Sequence, residues 1–207
     1  MRNLRTLIYI SIFLTGMVLL NSCHKHHSEP LIINPTVNPI PYSVLVYLIT
    51  PTDQKFTPQY YTAVKTCALN LQNWYKLQMG DKTFIMNPVV VDTLTGLHNS
   101  SWYHSNNGPA ISGSGTIYAY YNTVYEMRQL LGANFDTTHY TYFVYVAADF
   151  PDETIPKGLA AEGLGNLTGL CGKSPNSYIG IAGHSLGHAF GLPEVSIENP
   201  EAIMSTG

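Results

Sequence analysis

The sequence predicts an α+β fold in which buried strands alternate with amphipathic helices. Residues 42–49 form a β-branched and aromatic run, which is typical of a buried strand. Apolar residues recur at helical spacing over residues 58–79 and again over residues 117–131. Residues 140–147 form a further β-branched and aromatic run. The resulting strand–helix–strand–helix–strand order fits one domain with its own core, and the 207 residues leave room for an N-terminal signal before it.

The first half of this pattern has clear local signals. Residues 42–49 are too short and too apolar for a surface helix, so we predict a strand that lies centrally in the sheet. Thr57 and Pro58 are an N-cap and a first-turn proline, and Gly80 is a suitable stop. The predicted helix packs on the sheet through Tyr61, Val64, Ala68, Leu71 and Tyr75. Residues 83–91 predict a second strand, and its break at Asn87-Pro88 favours an edge position or a bulge.

Two stretches predict loops. Residues 95–115 are rich in Ser, Asn and Gly, which predicts a long surface loop. Either His98 or His104 could face a cleft, but we expect both to be exposed and without a specific role. Residues 158–172 are rich in glycine, yet they contain neither a phosphate-loop nor a dinucleotide-binding pattern. We therefore predict a close-packed loop that precedes the last helix, at residues 178–190.

The charge distribution excludes one class of partner. The formal net charge is −3, charged residues make up 11% of the chain, and no run of Lys or Arg is present. A nucleic-acid surface needs a basic patch or stripe. We therefore expect no nucleic-acid partner.

The N-terminus carries the features of an export signal. Arg2 and Arg5 precede an apolar stretch at residues 7–20, and small residues then lead to Cys23. This pattern resembles a bacterial lipoprotein signal, which implies removal of residues 1–22 and lipidation of Cys23. The resemblance places the protein in the cell envelope, lipid-anchored outside the cytoplasm at the outer membrane or cell surface. An uncleaved anchor or an ordinary secretory peptide would also place the domain outside the cytoplasm.

The rest of the chain divides into two parts. Residues 23–41 are rich in proline and lack a periodic pattern, so we predict a flexible tether that starts at the lipidated cysteine. Residues 42–207 form the predicted domain. In an exported domain Cys67 and Cys171 could pair as a disulfide.

Metal-ligand residues at helical spacing lie near the C-terminus. His184 and His188 are four residues apart, so on a helix both imidazoles face the same side and can reach a single ion. Three residues later, Gly191 can end the helix at positive φ and return Glu194 towards that ion. Met204 follows in the run Ala-Ile-Met-Ser-Thr.

The predicted helix also carries three glycines and a serine N-cap. Ser177 is a suitable N-cap, and Gly180, Gly183 and Gly187 follow it. Each glycine costs up to about 1 kcal/mol relative to alanine in a helix interior. We therefore expect neighbouring backbone to approach this helix closely around a buried site.

The order His-x-x-x-His-x-x-Gly-x-x-ligand, with a methionine turn after it, resembles the metzincin clan of zinc peptidases, whose pattern is H-E-x-x-H-x-x-G-x-x-H. The resemblance implies zinc held by His184, His188 and Glu194, with Met204 packed beneath the metal. It also implies an α/β/α sandwich with a twisted, mostly parallel sheet, a backing helix and an active-site helix. The implied activity is hydrolysis of peptide bonds in a peptide or protein substrate.

Two positions depart from that pattern. Ser185 stands where the family has its glutamate general base, and Glu194 stands where the third ligand is usually His or Asp. A hydroxyl is neutral near pH 7 and is a very poor base, so the general acid–base contribution, typically 10²–10⁴-fold, is lost. A carboxylate third ligand is compatible with zinc, since His₂Glu peptidases exist. We expect zinc binding with weak or absent peptidase activity.

Three alternatives remain open from the sequence. Glu194 or Glu198 could supply the missing base while fewer protein ligands hold the metal. The chain could instead be a non-catalytic peptide-binding or adhesion lipoprotein that uses the peptidase cleft. A purely structural lipoprotein with an empty site is the third alternative.

Overall fold

A parallel β-sheet forms the centre of the computed structural model, which describes residues 43–106, 118–149, 157–193 and 204. The predicted signal at residues 1–22, the lipidation site Cys23 and the tether at residues 23–41 lie outside these ranges. Within the described ranges, no helix has the length and apolar character needed to cross a bilayer.

The described strands pair in parallel around β1. The five strands are β1 (Ser43–Thr50), β2 (Ile85–Met86), β3 (Asp92–Thr95), β4 (Tyr140–Val146) and β5 (Leu159–Glu162). Their order across the sheet is β2, β1, β4, β5. Strand β3 also pairs with β1, further along it than β2 does: β2 pairs with residues 43–44 and β3 with residues 47–50. The first predicted strand is therefore central, as expected. The second predicted strand, at residues 83–91, is observed only at Ile85–Met86 and ends before Pro88. Strand β3 begins at Asp92, beyond the predicted range.

Helices cover both faces of the sheet. On one face lie α1 (Pro58–Gln78), α4 (Leu164–Leu170) and α5 (Pro175–Ala189), and on the other α2 (Ser100–Tyr103) and α3 (Tyr118–Leu131). Alternate residues of each strand supply the two cores, for example Val46 to the first and Tyr47 to the second. Strands buried on both faces read as continuous apolar runs. The predicted α+β fold, an α/β/α sandwich with a mostly parallel sheet, is confirmed.

Most predicted helix ends are close to the observed ones. Helix α1 starts at Pro58, and Gly80 follows its end with φ 61°. Helix α3 is followed by Gly132, with φ 54°, in a short 3₁₀ helix. The predicted start of the last helix was wrong, because α5 begins at Pro175 and its N-cap is Ser174 rather than Ser177. A proline at the first helical position needs no N–H partner, which allows the earlier start.

The glycine-rich stretch at residues 158–172 is not a loop, in contrast to our prediction. It contains β5 and α4. A strand of four residues is too short to show an alternating pattern, and the flanking glycines hid it further. Gly169 serves close packing of α4 on α5, because a Cβ there would collide with the ring of Tyr178.

The prediction of a surface loop at residues 95–115 was wrong for its first half. Asn99 caps α2 by accepting a hydrogen bond from the Trp102 backbone N–H at 3.1 Å. Tyr103 is fully buried and donates to Glu126 Oε1 at 2.7 Å. His98 is not a free surface histidine either, because its Nδ1 lies 2.6 Å from Glu126 Oε2 and its ring stacks on Trp102. This segment is held by a buried carboxylate from α3, which local sequence patterns do not reveal.

The two cysteines of the domain do not form a disulfide. Cys67 is a buried free thiol whose Sγ lies 3.4 Å from the Tyr145 hydroxyl. Cys171 is an exposed free thiol near the Gln59 carbonyl. The pairing that the sequence allowed is therefore absent.

Candidate metal centre

Helix α5 brings His184 and His188 together, as their spacing predicts. The two Nε2 atoms are 3.0 Å apart, and the rings meet edge to face with centroids 4.7 Å apart. Two nitrogens that each lie about 2.0–2.1 Å from one tetrahedral ion are roughly 3.3 Å apart. The two imidazoles therefore converge on one point at nearly the separation that zinc requires.

The end of α5 fixes the orientation of His188. Gly191 has φ 85°, its N–H donates to the His188 carbonyl at 2.7 Å, and the Leu192 N–H donates to the Gly187 carbonyl at 3.0 Å. This is a Schellman motif, which needs a residue in the left-handed region just after the helix. The motif carries the Leu192 carbonyl back to the helix, where it lies 3.1 Å from His188 Nδ1.

That contact determines which ring nitrogen of His188 is available. A carbonyl oxygen can only accept a hydrogen bond, so Nδ1 carries the proton and Nε2 presents its lone pair towards His184. Metal-ligating histidines almost always donate their other ring N–H to a carboxylate or a backbone carbonyl. The predicted helix end at Gly191 therefore also orients the His188 ring, with its Nε2 towards His184.

Ser185 lies next to the histidines in the sequence and is buried, with 8% of its surface exposed. Its hydroxyl can donate and accept hydrogen bonds, but it cannot hold a proton taken from water near neutral pH. The position that should carry a base thus carries a small neutral group.

Met204 packs directly against the turn that joins the two histidines. It is buried, and a Cβ on Gly187 would collide with its Sδ and lie 3.2 Å from its Cε. A close approach is therefore found at Gly187, but it is made by the side chains of Met204 and Tyr75 and not by the neighbouring backbone that we expected. The expectation is also wrong for Gly180, where an added Cβ meets nothing within 4 Å.

The described residues do not supply a complete set of metal ligands. Across residues 43–106, 118–149, 157–193 and 204, no group of three or more His, Cys, Asp or Glu side chains could hold a metal ion. The described residues thus bring no third candidate ligand to His184 and His188. The predicted ligand Glu194 and the alternative base Glu198 lie outside these ranges. What the structure provides is a pair of histidines whose Nε2 atoms lie 3.0 Å apart.

Two features of this region escaped the sequence patterns. The Leu192 carbonyl is a backbone group, so no residue type signals its role. Tyr75 was assigned to the apolar stripe of α1, but its hydroxyl also donates to the Gly183 carbonyl at 3.2 Å. The hydroxyl on an otherwise apolar stripe is the signal that could have pointed to it.

Two solved structures of OgpA from Akkermansia muciniphila share this fold. A catalytically inactive OgpA in complex with an O-glycopeptide substrate, glycodrosocin, gives a TM-score of 0.53 at 13% identity, over 80% of this chain and 54% of that chain. Wild-type OgpA gives a TM-score of 0.51 at 14% identity, over 81% of this chain and 55% of that chain. This chain spans about half the length of those structures. No family model and no curated protein matches the sequence.

The similarity to OgpA concerns the arrangement of helices and strands. At 13–14% identity the likeness shows a shared fold and does not extend to individual residues.

Proposed function

We propose that this chain is a metzincin-type zinc metallopeptidase homologue, anchored to a membrane through Cys23, whose peptidase activity is weak or absent. The observation that carries the proposal is the pair of Nε2 atoms at 3.0 Å, with His188 oriented by the Leu192 carbonyl. A likeness in fold to an enzyme with an O-glycopeptide substrate supports a peptide or glycopeptide as the ligand class. The predicted lipoprotein signal supports a location in the cell envelope outside the cytoplasm.

We propose separate roles for the residues of the site in metal binding and in proton transfer. His184 and His188 would hold the zinc, and Glu194 is the third ligand that we propose. Bound zinc would supply Lewis acidity and lower the pKa of a water in the site. Ser185 stands where the base is needed, and its neutral hydroxyl cannot accept the proton. The pair of histidines thus supports metal binding, while the serine limits turnover.

A second function is favoured by the same serine. A site that binds a peptide but lacks a base would retain the peptide instead of cleaving it, so the chain would act as a peptide-binding or adhesion lipoprotein. Peptide retention without turnover distinguishes this function from a slow peptidase.

The experiment is peptide hydrolysis by the detergent-solubilised full chain, alongside its Ser185→Glu variant. Mixtures of unmodified peptides and O-glycopeptides would be followed by mass spectrometry. We expect slow or no cleavage by the chain as it stands, and a gain of about 10²–10⁴-fold on introducing the base. Ser185→Ala is the matched control and should behave like the parent.

Two results would count against the proposal. Rapid hydrolysis by the parent, unchanged in Ser185→Ala, would show that a different residue supplies the base. A Ser185→Glu variant that is folded and loaded with zinc but gains no activity would show that position 185 does not face the reacting water.

A further inference from the structure

Each histidine of the candidate metal centre follows a glycine. Gly183 precedes His184, and Gly187 precedes His188. Because the glycines are also four residues apart, they form their own strip on α5, about 100° around the helix axis from the histidine strip. Along this glycine strip, beside the histidine strip, α5 presents backbone atoms without side chains.

Tyr75 of α1 reaches both glycines of this strip. Its hydroxyl donates to the Gly183 carbonyl at 3.2 Å. A Cβ added to Gly187 would lie 3.4 Å from the same oxygen. One phenol oxygen is thus hydrogen-bonded at one end of the helical turn that separates the two histidines. At the other end it lies at van der Waals distance from the place that a Cβ on Gly187 would occupy.

Tyr75 is itself held firmly. It is buried, and its ring packs edge-on against Trp74, Phe84 and Phe190, with centroids 5.1, 5.8 and 5.5 Å away. Phe190 is the C-cap residue of α5. Burial raises the pKa of the Tyr75 hydroxyl to about 12, so it remains a donor at physiological pH. The side chain therefore links α1 both to the histidine turn and to the end of α5.

We propose that Tyr75 is a positioning residue of the metal centre. Its hydrogen bond to Gly183 fixes the rotation and height of α5 relative to α1. This sets where the two Nε2 atoms lie relative to the rest of the domain, and so where they can meet a divalent cation such as zinc or cobalt. A rotation of the helix by a few degrees would carry both imidazoles away from a third ligand held elsewhere. Productive metal geometry tolerates about 0.5 Å of misplacement. The inference rests on the proposed function, because it requires that the histidines bind metal.

The test is the affinity of the full chain for Co²⁺, with and without the Tyr75 hydroxyl. Tyr75→Phe removes the donor and keeps the ring. Loss of groups that orient metal ligands typically weakens metal binding by about 10–100-fold, and we expect a loss near the lower end. The visible absorption of bound Co²⁺ should change as well, since it reports ligand geometry. Urea unfolding of the metal-free protein measures stability separately.

Tyr47→Phe is the matched control. Tyr47 is also buried, but it lies in the core on the opposite face of the sheet and stacks on Tyr142. Its loss should leave Co²⁺ affinity and spectrum unchanged. To guard against a folding defect in Tyr75→Phe, 4-fluorophenylalanine and 4-aminophenylalanine would be placed at position 75. The amino group restores a donor and should restore affinity, whereas the fluorine should not.

The outcomes separate the inference from the proposed function. Equal Co²⁺ affinity of the parent and both donor-free variants overturns the role of Tyr75 while leaving the metal centre intact. A parent chain that binds no Co²⁺ overturns the metal centre and the role of Tyr75 together. Weaker binding without the donor, recovered with 4-aminophenylalanine, supports the inference.

Discussion

Alanine at two glycines of α5 should change stability in opposite directions. In a helix interior alanine is favoured over glycine by about 0.8–1.0 kcal/mol. At Gly180 an added Cβ meets nothing within 4 Å, so Gly180→Ala should raise the free energy of unfolding by about 0.5–1 kcal/mol. At Gly187 the same Cβ collides with Met204 Sδ, and because this flexible side chain is buried, it must repack inside the core. Overpacking of this kind costs about 1–3 kcal/mol. The net effect of Gly187→Ala is a loss of up to about 2 kcal/mol.

Urea unfolding of the metal-free full chain measures both changes. The Met204→Ala background removes the collision, so Gly187→Ala in that background should approach the gain seen at Gly180. The coupling between positions 187 and 204 is then about 1 kcal/mol or more. If Gly187→Ala stabilises the parent as much as Gly180→Ala does, Met204 does not pack against the histidine turn and the reasoning fails.

Three further predictions concern other parts of the domain. Glu126→Gln should lower the free energy of unfolding, measured in urea, by about 2–3 kcal/mol, because the buried carboxylate accepts three hydrogen bonds. An unfolding free energy equal to that of the parent would contradict this. Hydrogen bonds from Ser100 lower the pKa of Asp53 below its ordinary 3.8, so its stabilising effect is present above that pH and lost as pH falls further. The stability difference from Asp53→Asn should therefore shrink on acidification, and a pH-independent difference would refute it. Thiol reagents at pH 7 should label Cys171 in the folded protein and Cys67 only after unfolding, because burial raises the pKa of the Cys67 thiol to about 12. Labelling is followed by mass spectrometry, and rapid labelling of Cys67 in the folded protein would argue against its burial.

Elements with a strong period were predictable because their signals are local. The spacing of apolar residues in α1 and the β-branched runs of β1 and β4 record which faces are buried, so the sheet and its covering helices followed from the sequence. Strand β5 was missed because four residues between glycines carry no period. The position of α2 was missed because its stability depends on Glu126, a charged residue of α3 that is buried by distant partners.

In the candidate site, too, local features could be predicted and contacts between distant residues could not. The spacing of His184 and His188 and the glycine at 191 determined the histidine pair and the helix end, since both are properties of one helix. The contact between His188 and the Leu192 carbonyl could not be predicted, because a backbone acceptor has no residue signature. The hydrogen bond from Tyr75 joins two helices through residues that are 108 positions apart in the chain. The role of Glu194 as third ligand stays a prediction.

Zinc content is the most direct test of the central claim that His184 and His188 hold a metal. The full chain and its His188→Ala variant would be dialysed against buffered zinc and analysed by plasma mass spectrometry. His139→Ala is the control, because His139 is exposed and pairs with Asp136 on the surface. We predict about one zinc per chain in the parent and in His139→Ala, and its loss in His188→Ala. A parent without zinc, or a His188→Ala variant that keeps it, would contradict zinc binding by the two histidines.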